Sequence, residues 1–158
     1  MNRRHTAVGK QLIELIIETS RLNGALLSRG DTLVRDIGLT SARWQVLGPV
    51  AMEGPLSVAQ VARRMGLSRQ AVQRVVNDLG ALGLTTYRDN PDHKRAKLVA
   101  LTQRGEIAFT KAAARQATWV NSMGKGLDPT AVAEAARLLR TIHDRCRKNG
   151  DDGNPDGE

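Results

Sequence analysis

The chain has 158 residues, of which 41% are hydrophobic and 25% charged, a composition that predicts a packed globular core and excludes disorder throughout. Its formal net charge of +8 makes an acidic polymer or surface the predicted partner class. The single cysteine excludes an intrachain disulfide, and no apolar run approaches the roughly 20 residues that cross a bilayer, so the sequence predicts a cytoplasmic protein with no membrane partner.

The first predicted element is a long amphipathic helix from about Thr6 to Ser28. Its side chains at helical spacing form one apolar stripe: Val8, Leu12, Leu15, Ile16, Thr19, Leu22 and Leu26. A stripe of this length needs a partner surface. A second helix follows Gly38, begins at a cap formed by Thr40 or Ser41, and ends at Gly54.

Two short helices separated by three residues come next. Ser57 caps the first of them, and Gly66 supplies the left-handed backbone conformation that is common just past a helix end. Ser68 caps the second, whose buried side is predicted to be Val72, Val75, Val76 and Leu79. A helix, a short turn with glycine and a second helix make a helix-turn-helix, in which the second helix enters the major groove of DNA.

The polar side of this second helix, predicted over 68–82, suits the edges of DNA bases. It carries Arg69, Gln70, Gln73, Arg74 and Asn77. Arg can bond guanine, and Gln or Asn can bond adenine, through two hydrogen bonds worth about 1–3 kcal/mol of discrimination. Ser68 and the free N–H groups of the first turn can hold a phosphate. The alternative is an ordinary solvated helix face, but the preceding helix and the basic hairpin that follows favour DNA.

That hairpin is predicted from two β-prone runs, Leu84–Arg88 and Lys97–Leu101, with turn-forming residues between them. Its tip, over 88–97, is expected to lie on the minor groove and the phosphate backbone. Between Ser57 and Arg104 there are nine Lys or Arg against three Asp, so basic charge concentrates here. The predicted DNA contacts outside the second helix are Ser57, Arg88, His93, Lys94, Arg95 and Lys97.

The carboxy-terminal part of the chain predicts two more helices and a tail. Thr102 caps a helix that runs toward Met123, and Asp128 with Pro129 opens a last helix whose apolar stripe ends at Cys146. On that stripe, Cys146 is predicted to be a small buried side chain and not a redox sensor. Residues 149–158 hold no aliphatic or aromatic side chain, so they predict a disordered acidic tail.

Three segments resemble the multiple-antibiotic-resistance regulator (MarR) family of winged-helix regulators: Gly38–Leu47, Gly54–Ala62 and Asp89–Thr102. The resemblance implies a mainly α fold with a small β-hairpin wing, that is, a winged helix-turn-helix plus a helical dimerisation region. The implied divisions are a dimerisation helix at 1–36, a DNA-binding domain at 37–102, dimerisation helices at 103–148 and the tail.

The same resemblance implies a homodimer on a near-palindromic operator, acting as a repressor that a small-molecule effector releases. The two terminal apolar stripes independently favour a dimer, because one small lobe could hardly bury both. In similar proteins, Arg43 and Trp44 would border a cleft for a small phenolic or lipophilic effector. For Trp44, packing in the core is the favoured alternative.

The sequence also argues against other classes of protein. It has no Gly-rich phosphate loop, no His-Glu-x-x-His and no Gly-x-Ser-x-Gly, so no enzyme activity and no cofactor are predicted. Its three histidines lie far apart without ligand spacing, so no metal is predicted. Two other interpretations stay open: a non-specific architectural DNA-binding protein and a winged-helix module that binds another protein.

Overall fold

A computed structural model of the protein describes residues 5–93 and 95–151. The helices are α1 (Ala7–Val34), α2 (Ser41–Glu53), α3 (Val58–Met65), α4 (Arg69–Ala81), α5 (Gln103–Met123) and α6 (Pro129–Asp151), and a short 3-10 helix at Arg35–Ile37 follows α1. The strands are β1 (Leu56–Ser57), β2 (Thr85–Arg88) and β3 (Leu98–Leu101). The predicted fold class, mainly α with a small wing and a helix-turn-helix, is confirmed.

The chain forms two compact units, one ending at Ala117 and the other beginning at Thr118. This boundary falls inside α5, and the first unit contains α1 as well as the winged helix. The functional division of the chain at 36, 102 and 148 stays a prediction.

The wing is part of a three-stranded antiparallel sheet in the order β1-β3-β2. The prediction of a two-stranded hairpin was therefore incomplete, because β1 has only two residues and too short a run to show alternation. Ser57 of β1 and Arg88 of β2 both pair with Leu98, on opposite edges of β3. The base of the wing is thus fixed directly to the start of α3.

Aliphatic side chains form the core of the first unit, as the low aromatic content predicts. The fully buried large side chains are Leu47, Leu79, Val34, Val46, Val61, Val72, Val76 and Val99. They come from α1, α2, α3, α4 and β3, so the two helices of the helix-turn-helix share one core with the sheet.

The carboxy-terminal half of α1 is fixed on α2, which explains why α1 continues past its predicted end at Ser28. Gly30 is buried, and a Cβ there would collide with Ser41 Oγ. Ser41 Oγ donates to the carbonyl of Leu27 at 2.7 Å, and its backbone N–H donates to Asp31 at 2.6 Å. Only a residue without a side chain permits this approach.

Ion pairs fix other helices of the first unit. Arg64 of α3 bonds both carboxylate oxygens of Glu53 at the end of α2. That hydrogen bond lowers the pKa of Glu53 and raises the pKa of Arg64. Arg115 of α5 pairs with Asp36 and also donates to the carbonyl of Leu33 at 2.8 Å. The bond from Arg115 lowers the pKa of Asp36 in the same way.

In the second unit, α6 begins as predicted, because Asp128 accepts from the backbone of Thr130 at 3.1 Å and of Ala131 at 3.3 Å. It continues to Asp151, so the prediction of disorder was wrong for 149–151, while 152–158 lie outside the described residues. Cys146 is exposed, so its predicted burial is wrong within the single chain. Apolar side chains of the same helix, such as Val132, are exposed too. Among the described residues, no helix is long and apolar enough to span a bilayer.

Candidate nucleic-acid interface

The helix-turn-helix forms because local contacts fix three helix ends: the start of α3, the end of α3 and the start of α4. Ser57 and Gln60 make a reciprocal capping box at the start of α3, and Gly66 ends that helix with a φ of 64°. Ser68 caps α4 by accepting from the backbone N–H of Ala71 at 3.1 Å. All three roles match the sequence prediction for Ser57, Gly66 and Ser68. The turn therefore places the first residue of α4, Arg69, directly beyond the end of α3.

One side of α4 is buried and the other is open. Val72, Val76 and Leu79 lie in the core at 2% exposure or less. The predicted base-reading side chains are all exposed: Arg69, Gln70, Gln73, Arg74 and Asn77. None of them is turned into the first unit, so this face is available to a partner.

A cleft of about 630 Å³ separates α4 from the wing. It is lined by Ser57, Val58, Ala59, Arg69, Gln70, Gln73, Tyr87, Arg95, Ala96 and Lys97. The cleft brings together six of the residues predicted from the sequence, drawn from the start of α3, from α4 and from the wing. Their side chains surround one space although they are up to 40 positions apart.

The cations at this surface have no carboxylate partner in the part of the chain that the structure describes. Within residues 5–93 and 95–151, no carboxylate forms an ion pair with Arg69, Arg74, Arg95 or Lys97. By contrast, Arg43 pairs with Asp78 at 3.8 Å, and Arg64 and Arg115 have the carboxylate partners described above. Unpaired guanidinium and ammonium groups around an open cleft attract an anion such as a phosphate.

Polar side chains of α4 and the wing are joined by hydrogen bonds. Gln73 Nε2 donates to Asn77 Oδ1 at 2.8 Å, one helical turn along α4. The same nitrogen donates to the hydroxyl of Tyr87 on β2 at 2.7 Å. Sequence reasoning missed Tyr87, although it is the only tyrosine and strand alternation separates it from the neighbouring side chain of Arg88.

The other residues predicted to contact DNA are not among those that line this cleft. Ser68, Arg74 and Asn77 are exposed on α4 but do not line it. Arg88 faces a different cleft, of about 450 Å³, between β3 and the helices α2 and α5, because it follows Tyr87 in the strand. His93 is exposed near the tip of the wing, and Lys94 lies outside the described residues.

The residues predicted to border an effector cleft have other contacts in this structure. Arg43 lies half-buried and pairs with Asp78 of α4. Trp44 is partly buried and packs against the core of the first unit, which is the alternative favoured from the sequence. A role for either in binding an effector stays a prediction.

The sequence matches known proteins over most of its length. The model of the MarR family matches residues 37–96. An uncharacterized protein of Mycobacterium tuberculosis strain H37Rv is 36% identical over 132 residues, which are 84% of this chain and 92% of that protein.

Solved structures with the same fold are regulators of transcription. The PcaV transcriptional regulator from Streptomyces coelicolor, in complex with its natural ligand, is 28% identical with a TM-score of 0.70, covering 80% of this chain and 89% of that one. CouR from Rhodococcus jostii RHA1, bound to p-coumaroyl-CoA, is 26% identical with a TM-score of 0.72, covering 78% and 87%. AbsC, a MarR family regulator from Streptomyces coelicolor, is 17% identical with a TM-score of 0.75, covering 93% and 99%, and shows the fold.

Proposed function

The chain belongs to the MarR family of winged-helix transcriptional regulators, and from this membership we propose that it is a sequence-specific DNA-binding repressor released by a small molecule. In this proposal α4 enters the major groove, and the wing contacts the minor groove and the phosphate backbone. The chain acts by binding and performs no chemistry on the DNA.

The observation that carries the proposal is the open face of α4 beside cations that have no carboxylate partner among the described residues. Arg, Gln and Asn are the side chains that recognise guanine and adenine edges in the major groove. Arg95 and Lys97 on the wing supply positive charge at the other side of the same cleft. One surface thus offers base-reading groups and phosphate-binding groups together, as a protein that reads sequence requires.

The repressor is proposed to be a homodimer that presents two α4 helices to successive major grooves, about 34 Å apart on one side of the duplex. Two copies of one surface related by a two-fold axis match a near-palindromic operator. A dimer bound in this way would cover promoter DNA and block the polymerase.

A small phenolic or lipophilic effector is proposed to release the DNA by changing the spacing of the two helices. PcaV has a natural ligand, which supports a small-molecule effector, and the p-coumaroyl-CoA of CouR carries a phenol, which supports a ligand of this class for this chain. Arg43 and Trp44 are the proposed effector contacts. Because a ligand shifts an equilibrium only by its difference in affinity for the two states, the expected coupling is about 1–3 kcal/mol.

The proposal is tested by selecting bound duplexes from a random pool. Enrichment of a near-palindrome, with half-sites about one helical turn apart, is expected. A pool that stays random after repeated rounds would exclude sequence-specific binding. The outcome settles specificity, symmetry and half-site spacing in one measurement.

Dimerisation gives a separate prediction, based on the apolar stripe of α1. Leu12 is 38% exposed and Ile16 52% exposed in the single chain, so water contacts them unless a second copy covers them. Sedimentation at micromolar concentration is expected to give about twice the chain mass of 17.2 kDa. Replacing both Leu12 and Ile16 by Glu should shift the measured mass toward that of one chain.

A matched control is Lys10→Glu, which also adds negative charge to α1 but lies away from the stripe. It should leave the dimer intact. A mass of 17.2 kDa for the unmodified protein would contradict the proposed dimer.

A further inference from the structure

The side-chain amide of Gln73 has no N–H group left to donate to a ligand. Its nitrogen carries two hydrogens, and it makes two hydrogen bonds, to Asn77 Oδ1 at 2.8 Å and to the hydroxyl of Tyr87 at 2.7 Å. Both donors are therefore used inside the protein. One acceptor lies on the same helix, and the other comes from the wing strand β2, 14 residues along the chain.

The atoms that remain have opposite hydrogen-bonding character. In the described part of the chain, neither Gln73 Oε1 nor Asn77 Nδ2 has a hydrogen-bond partner, and both side chains are exposed. Gln73 thus offers only an acceptor, and Asn77 offers a donor. Two bonds hold the orientation of the Gln73 amide, one from each side.

This polarity limits which bases Gln73 can recognise. In the major groove, a donor is presented only by adenine N6 and cytosine N4, whereas guanine and thymine present acceptors. An unrestrained Gln can bond adenine with its carbonyl and amide together. Gln73 held in this way cannot make that paired contact, so its carbonyl selects adenine or cytosine, while Asn77 bonds an acceptor nearby.

We propose that Tyr87 is a positioning residue for sequence recognition: its hydroxyl fixes the amide of Gln73 so that the carbonyl faces DNA and selects adenine or cytosine. The proposal rests on the function proposed above and deepens it. It makes the wing part of the base-reading apparatus, acting through α4, in addition to any contact of its own with the phosphate backbone.

The variant that tests this is Tyr87→Phe, which removes one hydroxyl and keeps the ring. Without that acceptor, one N–H of Gln73 becomes free, so Gln73 can donate to guanine or thymine and can also form the paired contact with adenine. The preference for cytosine over guanine and thymine should therefore disappear. Duplexes are selected from a random pool with the unmodified dimer, with Tyr87→Phe and with Gln73→Ala. The position at which Gln73→Ala loses its preference marks the base contacted by Gln73.

A matched control is Thr86→Val, which also removes one hydroxyl from β2. Thr86 is exposed, and alternation along the strand places it on the side opposite Tyr87. This variant should select the same sequence as the unmodified protein. Thermal unfolding of all variants, and their binding to random duplex, report whether a substitution has disturbed the fold or the wing.

The expected result is confined to one position in each half-site. There the unmodified protein should prefer adenine or cytosine to guanine or thymine by about tenfold, and Tyr87→Phe should reduce the preference for cytosine to about twofold or less. Preferences elsewhere and binding to random duplex should stay within about twofold. At that position the double variant, Tyr87→Phe with Gln73→Ala, should show the same base preference as Gln73→Ala alone.

Four outcomes would overturn the proposal. If Tyr87→Phe retains the full preference for cytosine over guanine and thymine at the Gln73 position, or if the unmodified protein prefers guanine or thymine there, the inference fails while the proposed function stands. If Tyr87→Phe weakens preferences at every position, Tyr87 supports the wing as a whole and does not position Gln73. If the unmodified protein enriches no sequence, the proposed function fails as well.

Discussion

Replacing Arg74 by alanine is expected to weaken binding to the selected operator about tenfold to a hundredfold, and to change binding to random duplex by less than about threefold. Arg74 is exposed on α4 and has no carboxylate partner among the described residues, so its guanidinium can approach a guanine edge. Truncation would leave the base unpaired and relax the preference at that position. Titration of fluorescent duplexes measures both affinities.

Arg95→Ala is the matched comparison, because it removes the same charge from the wing and not from α4. It is expected to weaken binding to operator and random duplex alike, and to reduce the slope of log K against log salt by about one. Equal losses on both duplexes for Arg74→Ala would show that Arg74 contacts phosphate, which would refute its base-reading role.

Gly105→Ala is expected to cost about 3 kcal/mol of the free energy of unfolding. Gly105 is buried in the first turns of α5, and a Cβ there would collide with the carbonyl oxygen of Leu84. That oxygen cannot move freely, because it accepts from the backbone N–H of Thr102 at 3.1 Å. Thr102 also donates its hydroxyl to the carbonyl of Gly83 at 2.7 Å, so two contacts hold the segment close to α5.

The loss should appear as a Tm lower by about 6–12 °C, measured at equal protein concentration since the protein is expected to be a dimer. Gly48→Ala is the control, because Gly48 lies inside α2 and a Cβ added there would meet nothing within 4 Å. That change should stabilise the protein by about 0.5–1 kcal/mol. Equal Tm values for the two variants would show that the backbone of Leu84 can move away from Gly105 and accept a Cβ there.

Local signals made the helix-turn-helix predictable. A cap is a contact within three residues, so Ser57 and Ser68 could be identified from the sequence alone, as could the left-handed Gly66. Asp128 with Pro129 gave the start of α6 for the same reason. The exposed face of α4 followed from the spacing of its buried valines, since helical periodicity fixes the opposite side once one side is known.

Contacts between distant segments were not predictable in this way. The bond from Gln73 to Tyr87 depends on how the wing folds back on α4, and nothing near either residue indicates it. Gly105 gives no local sign of the approach to Leu84, which lies in the segment between α4 and β2. β1 is only two residues long, and its pairing with β3 is a property of the sheet.

The burial of Cys146 was predicted from an apolar stripe, but periodicity does not say which molecule covers the stripe. In the single chain it stays exposed, as do apolar residues of α1 such as Leu12 and Ile16. Burial of Cys146 would require a partner chain, which the proposed dimer would supply if it covers this stripe.

The most direct test of sequence reading by α4 is a salt titration on two duplexes of equal length, the selected operator and a base-shuffled version. We expect log K to fall on both by about 0.9 per contacted phosphate per tenfold increase in salt. Binding to the operator should persist at salt concentrations that release the shuffled duplex. Loss of both duplexes over the same salt range would contradict sequence-specific recognition and leave only electrostatic attachment to DNA.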